Sequence, residues 1–295
     1  MIQSLGDLLS VEVGGVALLT LLLLLLAGFA AGWVDAVVGG GGLLQLPALL
    51  MVPGITPVQA LATNKLGSIF GTTTSAITYA RRVRPSMRTA LPMAFAALLA
   101  SYGGAVVAAS LPEQIILPLI LVALIGVGVF TAVKPNVGQL EKLRHTGISH
   151  LSRAALIGMI IGFYDGVLGP GTGTFLIIAL VTVLGYSFLN SSAQAKVVNV
   201  ATNLGALLFF APAGHVLVVL GLLLGVANML GGYVGARMAI AKGSKFIRVV
   251  FLIVVFALVL KLGYDVLAEW GPWLFHHVQA LTGASQMSAP LPSAH

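Results

Sequence analysis

No cysteine occurs in the 295 residues, which removes disulfides, thiolate nucleophiles and Cys-ligated metal or iron–sulfur centres from consideration. Charge is scarce as well. Asp, Glu, Lys and Arg make up 8% of the chain, against about 25% in soluble domains, so a soluble fold is excluded. The phosphate cradle of nucleotide-driven pumps, a glycine-rich loop ending in Lys-Ser or Lys-Thr, is missing, which argues against ATP-driven pumping by this chain alone. The six histidines lie at His145 and His150 in a polar linker, His215 at a helix entrance, and His276, His277 and His295 near the end. None has the spacing of a membrane metal site, so each is read as a solvated side chain and no metal or other cofactor is expected.

What fills the chain is apolar: 58% of the residues, gathered in runs of about 20, the length a helix needs to cross a hydrocarbon core of roughly 30 Å. The strict alternation of a membrane β-barrel is not there. Thirty-six glycines and 13 prolines fit membrane helices with interruptions, because neighbouring helices re-satisfy the backbone groups that a break frees. The Leu21 to Leu26 run resembles a signal-peptide core, but Asp7 and Glu12 precede it and no Lys or Arg does, so it is read as part of the mature chain.

Apolar segments run approximately over 13–34, 43–52, 57–79, 89–110 and 113–133, then over 151–168, 174–186, 190–211, 216–240 and 246–268. This divides the chain into a first membrane half (1–133), a polar linker (134–150), a second membrane half (151–268) and a tail (269–295). In the tail Trp270 and Trp273 suit an interfacial belt, and the last dozen residues are expected to be disordered. The halves are copies. An offset of 130 lays Gly28, Gly32, Asp35, Gly39 and Gly41 on Gly158, Gly162, Asp165, Gly169 and Gly171. An offset of 131 lays Lys65, Ser68 and Thr72 on Lys196, Asn199 and Asn203.

The formal charge of +7 comes from basic residues concentrated in three loops: Arg81, Arg82, Arg84 and Arg88; Lys142, Arg144 and Arg153; Lys242, Lys245 and Arg248. That pattern reads as membrane topology and not as a nucleic-acid patch. All three loops are expected to face the cytoplasm, which requires the 151–168 and 174–186 pair to cross an even number of times. Each half then crosses an odd number of times, so the second lies upside down relative to the first. The expected fold is all-α and polytopic, two inverted repeats each with a glycine-broken first helix or re-entrant hairpin plus three transmembrane helices. Both chain ends would face outward.

Two features carry chemistry. The stretches Gly39-Gly40-Gly41-Gly42 and Gly169-Pro170-Gly171-Thr172-Gly173 interrupt the first helix of each half. Broken backbone at membrane depth survives where protein shields it or where it lines a polar cavity, and the half-helix that follows offers free N–H groups to an anion. Glycines that merely allow close helix packing are the plainer reading. Lys65 and Lys196 lie inside apolar helices, where a charge costs about 2.5–3.5 kcal/mol on insertion scales. Helical spacing puts Lys65, Ser68 and Thr72 on one face, and Lys196, Asn199 and Asn203 on another. With Asn64, Gln194, Gln45, Thr172 and Thr174 nearby, these residues and the glycines of both breaks form the candidate cradle for a small anion. Asp35 and Asp165, four residues ahead of the breaks, would cap the broken helices, pair structurally with the lysines, or take up a coupling proton.

The run Gly28-Phe-Ala-Ala-Gly-Trp-Val-Asp-Ala-Val-Val-Gly-Gly-Gly-Gly-Leu-Leu-Gln-Leu-Pro47, followed by Ala60-Leu-Ala-Thr-Asn-Lys65, resembles the sulfite exporter TauE/SafE family of membrane permeases. Gly162-Phe-Tyr-Asp-Gly-Val-Leu-Gly-Pro-Gly-Thr-Gly173 and Ala195-Lys-Val-Val-Asn199 repeat the pattern, so the resemblance spans nearly the whole chain. It implies a secondary transporter of the bacterial plasma membrane, not an enzyme, moving sulfite, a sulfonate or another organosulfur anion. The expected partners are that anion, the bilayer and a coupling proton. The specific anion, the direction of transport and the oligomeric state are left open by the motif. A passive anion channel would share these features. An intramembrane aspartyl protease is suggested by Tyr164-Asp165, but it would need a Gly-x-Gly-Asp signature that is missing and would leave the matched lysines without a purpose.

Overall fold

The computed structural model describes residues 12–13, 16–112, 114–116, 119–120, 122 and 143–282. The 123–133 part of the fifth apolar segment, linker residues 134–142, Asp7 and the last dozen residues lie outside them. A two-residue antiparallel ladder, β1 (Glu12–Val13) on β2 (Val16–Ala17), precedes the helices. The helices are α1 (Leu18–Val38), α2 (Gly42–Leu50), α3 (Pro57–Arg82), α4 (Met87–Ser110), α5 (Gly147–Val167), α6 (Thr172–Ala179, running on through a π-turn at Leu180–Leu184), α7 (Phe188–Phe210) and α8 (Val218–Thr282). α8 is broken at Gly243, whose φ is 71°. The chain is an all-α, polytopic membrane protein.

Local sequence sets the ends of the two polar helices. Thr56 and Gln59 form a reciprocal cap ahead of Pro57: the Thr56 hydroxyl accepts from Gln59 N at 3.2 Å and the Gln59 side chain accepts from Thr56 N at 3.1 Å. Ser187, 131 positions on, starts α7 by accepting from Asn190 N at 3.3 Å. Among the described residues four helices are long and apolar enough to cross a bilayer: Leu18–Val38, Met87–Ser110, Gly147–Val167 and Val218–Ile247. α3 and α7 have the length, but their polar positions lower their hydropathy, and both sit in the interior of the bundle.

Packing exchanges elements between the halves. α1 lies along α8 and α5 along α4, at matching positions and at backbone distance. A Cβ at Gly32 would sit 2.2 Å from the Asn228 carbonyl oxygen, and one at Gly162 would sit 2.5 Å from that of Ala97. α3 runs parallel to α8, Ser75 donating to the Gly232 carbonyl, and α7 runs parallel to α4, Ser101 donating to the Thr202 carbonyl. The three basic loops consequently meet at one end of the molecule. Arg81 and Arg82 share a cavity with Arg237, Thr89 at the start of α4 bonds His150 at the start of α5, and Ser244 bonds Leu189 N. α3 ends at this basic end, whereas its counterpart α7 begins there.

Three expectations are corrected. The segment drawn from 13 becomes helical only at Leu18. α8 stays helical to Thr282, past the boundary at 268, so the tail begins as helix. His150 lies in α5 and not in the linker, and it is buried. Its Nε2 is 3.0 Å from the Thr89 hydroxyl and 3.2 Å from the Tyr186 hydroxyl, and its Nδ1 is 3.1 Å from the His145 carbonyl. The solvated reading suits His145, which is partly exposed, and fails for His150 because the 143–146 segment folds over it.

Candidate functional site

Each glycine stretch is the tip of a helical hairpin. α2 folds back along α1, so that Leu21 and Leu24 share a core with Leu43, Leu46 and Leu49. α6 folds back along α5, with the Tyr164 ring edge-on to Phe175 at 5.4 Å and the Tyr164 hydroxyl donating to the Pro170 carbonyl at 2.6 Å. The hairpins come from opposite ends and meet tip to tip. Thr174 N donates to the Gly39 carbonyl at 3.2 Å, and its hydroxyl donates to the Val38 carbonyl at 3.0 Å. Gly39 must be glycine on two grounds: its φ is 82°, and a Cβ there would lie 2.2 Å from the Gly173 carbonyl carbon.

Beside this junction α3 and α7 bring in the lysines. Each sits eight residues into its helix, about 12 Å from the start at 1.5 Å per residue. Both lysines are paired, and both pairs cross between the halves. Lys65 Nζ is 2.7 Å from Asp165 Oδ2, and Lys196 Nζ donates to Asp35 Oδ2 at 2.8 Å. The pairs are unequal. Asp165 also accepts a hydrogen bond of 2.6 Å from the Thr172 hydroxyl and has 6% of its side chain exposed, whereas Asp35, whose counterpart of Thr172 is Gly42, has 13% exposed. Of the roles open to the aspartates, pairing is the one the folded chain displays.

The pairs flank a cavity of about 30 Å³ lined by Asp35, Gly39, Gly42, Asn64, Lys65, Ser68, Thr72, Asp165, Gly169, Thr172, Gly173, Asn199 and Asn203. That is room for about two waters. Asn64 and Asn199 each keep a buried side-chain oxygen without a hydrogen-bond partner. A half-turn about the terminal torsion would present the NH2 edge of either amide to the cavity instead. Asn203 Nδ2 donates to the Thr72 hydroxyl at 3.4 Å, so these two matched positions touch directly across the halves. The two ion pairs sum to a formal charge of zero (2 − 2), with Lys65, Asp35 and Asp165 lining the cavity and Lys196 paired to Asp35 from outside the lining.

Lys196, Gly40, Gly41, Gln45, Gly171, Thr174 and Gln194 stand outside this lining, Lys196 reaching it only through its pair with Asp35. Gly41 packs on Ala31 and the Asp35 Cβ, Gly171 caps α6 with φ 75°, and Thr174 locks the two tips together. Gln45 is buried and accepts from Asn228 Nδ2 at 2.6 Å, and Gln194 is fully buried with both polar side-chain atoms unpartnered. Sequence reasoning passed over Asn228, whose counterpart is Ala97 and so carries no repeat signal. It also passed over Tyr79, which donates to the Ala36 carbonyl at 2.9 Å and ties the end of α3 to the hairpin. An amide in the apolar run 218–240 was the available signal for Asn228.

The sequence model of the family described as "Sulfite exporter TauE/SafE" matches residues 24–262. Among curated proteins the chain is 37% identical over 253 residues to "Probable membrane transporter protein ORF9" of Sinorhizobium sp, covering 86% of this chain and 96% of that one. It is 34% identical over 235 residues to "Probable membrane transporter protein YfcA" of Escherichia coli K12, covering 80% and 86%. It is 32% identical over 245 residues to a "Probable membrane transporter protein" of Haemophilus influenzae, covering 83% and 95%. No solved structure matches.

Proposed function

The chain belongs to the sulfite exporter TauE/SafE family of membrane transporters, and from that premise we propose that it is a secondary carrier of a small sulfur oxyanion, sulfite or a sulfonate, coupled to protons. The observation that carries this reading is the charge-balanced set of ion pairs beside the cavity at the hairpin junction, where each lysine is held by an aspartate of the other half. An anion entering such a site would make it net negative in a poorly solvated setting. Protonating one aspartate as the anion binds releases its lysine to the ligand and restores the charge balance. Asp35 suits this better than Asp165, being the more exposed and lacking a hydroxyl donor.

The direct contact between the hairpin tips, with room for only about two waters beside it, favours a carrier over an open channel. The exchanged packing, together with the opposite sense of α3 and α7 relative to the basic end, supports two inverted repeats moving against one another. In this reading the basic end faces the cytoplasm of a bacterial plasma membrane and both termini face outward.

The test is uptake into proteoliposomes of labelled sulfite, a sulfonate and a dicarboxylate, with and without a pH gradient, by wild type, Lys65→Ala and Lys196→Ala. Gradient-dependent flux of a sulfur oxyanion that is lost in both variants is the expected result. Flux that is equal in wild type and variants, or that ignores the gradient, would overturn the cradle or the coupling respectively.

A further inference from the structure

A second cavity, sharing no lining residue with the one at the hairpin junction, opens at the basic end between the last turns of α3 and the α8 residues 233–241. Its volume is about 380 Å³, and three guanidinium groups line it: Arg81, Arg82 and Arg237. The chain has eight acidic residues, yet none lies between Asp35 and Glu113 or between Asp165 and Asp265, so the stretches of α3 and α8 that line the cavity carry no carboxylate. Among the described residues the ion pairs are those of Lys65 and Lys196, and they occupy Asp165 and Asp35. The Arg237 Nη1 donates to the Tyr233 hydroxyl at 2.9 Å, and its guanidinium carbon lies 5.3 Å from the Tyr233 ring centroid. One donor is thereby used, and four of the five remain to meet another acceptor. Among the described residues no carboxylate pairs with these three cations, an unfavourable arrangement that is relieved when an anion with several oxygens bridges them.

The surroundings of the cavity indicate what carries that anion. Toward the middle of the bundle its walls continue into apolar faces turned outward: Ile77 (48% exposed), one turn before Arg81, and Leu230 (53%) and Val234 (39%), two turns and one turn before Arg237. In a membrane protein such faces meet acyl chains, and Tyr233, 44% exposed, sits between them and the arginines, at the level where an aromatic ring spans the interface. A soluble anion would use the arginines and leave the apolar walls idle. We infer that this cavity is a binding site for an anionic phospholipid, with its headgroup phosphate held by Arg81, Arg82 and Arg237 and its acyl chains lying along Ile77, Leu230 and Val234. The site joins α3, which carries Lys65, to α8, and so bridges the two halves of the bundle. It does not depend on which anion the protein transports.

The test uses the full chain, purified and equilibrated with equimolar phosphatidylglycerol and phosphatidylcholine of matched acyl chains, with bound lipid counted by native mass spectrometry. Wild type should retain phosphatidylglycerol selectively. At about 1 kcal/mol per basic residue, retention should fall about fivefold for each arginine replaced and on the order of 100-fold in Arg81→Gln/Arg82→Gln/Arg237→Gln. Arg88→Gln, in the same basic loop but outside the cavity lining, should leave retention unchanged. Free inorganic phosphate at millimolar concentration should not displace the lipid. Equal retention of the two lipids by wild type, displacement by inorganic phosphate, or undiminished selectivity in the triple variant would each overturn the proposal. Should the triple variant fail to fold, the lipid comparison and the phosphate competition on wild type still decide it.

Discussion

Breaking the buried Lys65–Asp165 pair from one side should cost far more than removing it whole. The pair spans 2.7 Å, and its side chains are 2% and 6% exposed. In Lys65→Met the Asp165 carboxylate would remain in a poorly solvated site with the Thr172 hydroxyl as its recorded donor, and stranding a charge in this way costs about 3–5 kcal/mol. For a chain of this size that is a fall in apparent melting temperature on the order of 10 °C. Lys65→Met/Asp165→Leu removes both charges, and Thr172 keeps its second acceptor, the Gly169 carbonyl at 2.7 Å. The double variant should therefore recover most of the loss, leaving a coupling energy of about 2 kcal/mol or more in the double-mutant cycle. The assay is thermal unfolding of the four proteins in one detergent, with anion uptake measured on each. The double variant is expected to be stable and inactive. The reasoning is refuted if Lys65→Met melts within about 1 kcal/mol of wild type, or if the double variant is less stable than either single one. A stable double variant that still transports would make the pair purely structural.

The companion pair should be softer: with Asp35 at 13% exposure, Lys196→Met is expected to lower the melting temperature less than Lys65→Met, and the reverse order would contradict the asymmetry drawn from Thr172. Asp35→Asn should preserve folding but uncouple anion uptake from an imposed pH gradient, as followed in proteoliposomes; unchanged gradient dependence would remove Asp35 from the proton path. Gly39→Ala, with φ 82° and backbone of the opposite tip within 2.2 Å, should lose about 2–5 kcal/mol. Gly54→Ala has φ 80° but open space around it and should lose only about 1–2 kcal/mol, so equal melting temperatures would show that the tip contact is not tight. His150→Ala leaves the Thr89 and Tyr186 hydroxyls short of a partner and should cost about 1–3 kcal/mol, whereas His145→Ala should be near neutral.

Much of this protein could be read from residue order alone. Long apolar runs dictate membrane helices because an unpaired backbone group has no partner in hydrocarbon, and the matched glycines, lysines and aspartates at offsets of 130 and 131 locate the same break and the same buried cation in each half. A repeat is visible in one dimension because each half must solve the same local problem, a hairpin tip and a charge at membrane depth. What residue order does not contain is partnership. Asp35 is 30 positions from Lys65 and 161 from Lys196, yet it pairs with the distant lysine, because the hairpins meet at their tips and each carboxylate is delivered to the opposite half. The same folding buries His150, which a linear reading leaves in solvent, and it gathers the adjacent Arg81 and Arg82 with Arg237, more than 150 residues further on, around one cavity. Local periodicity specifies which side chains share a helix face. Which face meets which is decided by the close approach of glycine-lined backbones, as at Gly32 on Asn228 and Gly162 on Ala97, and that exists only once the two halves have packed.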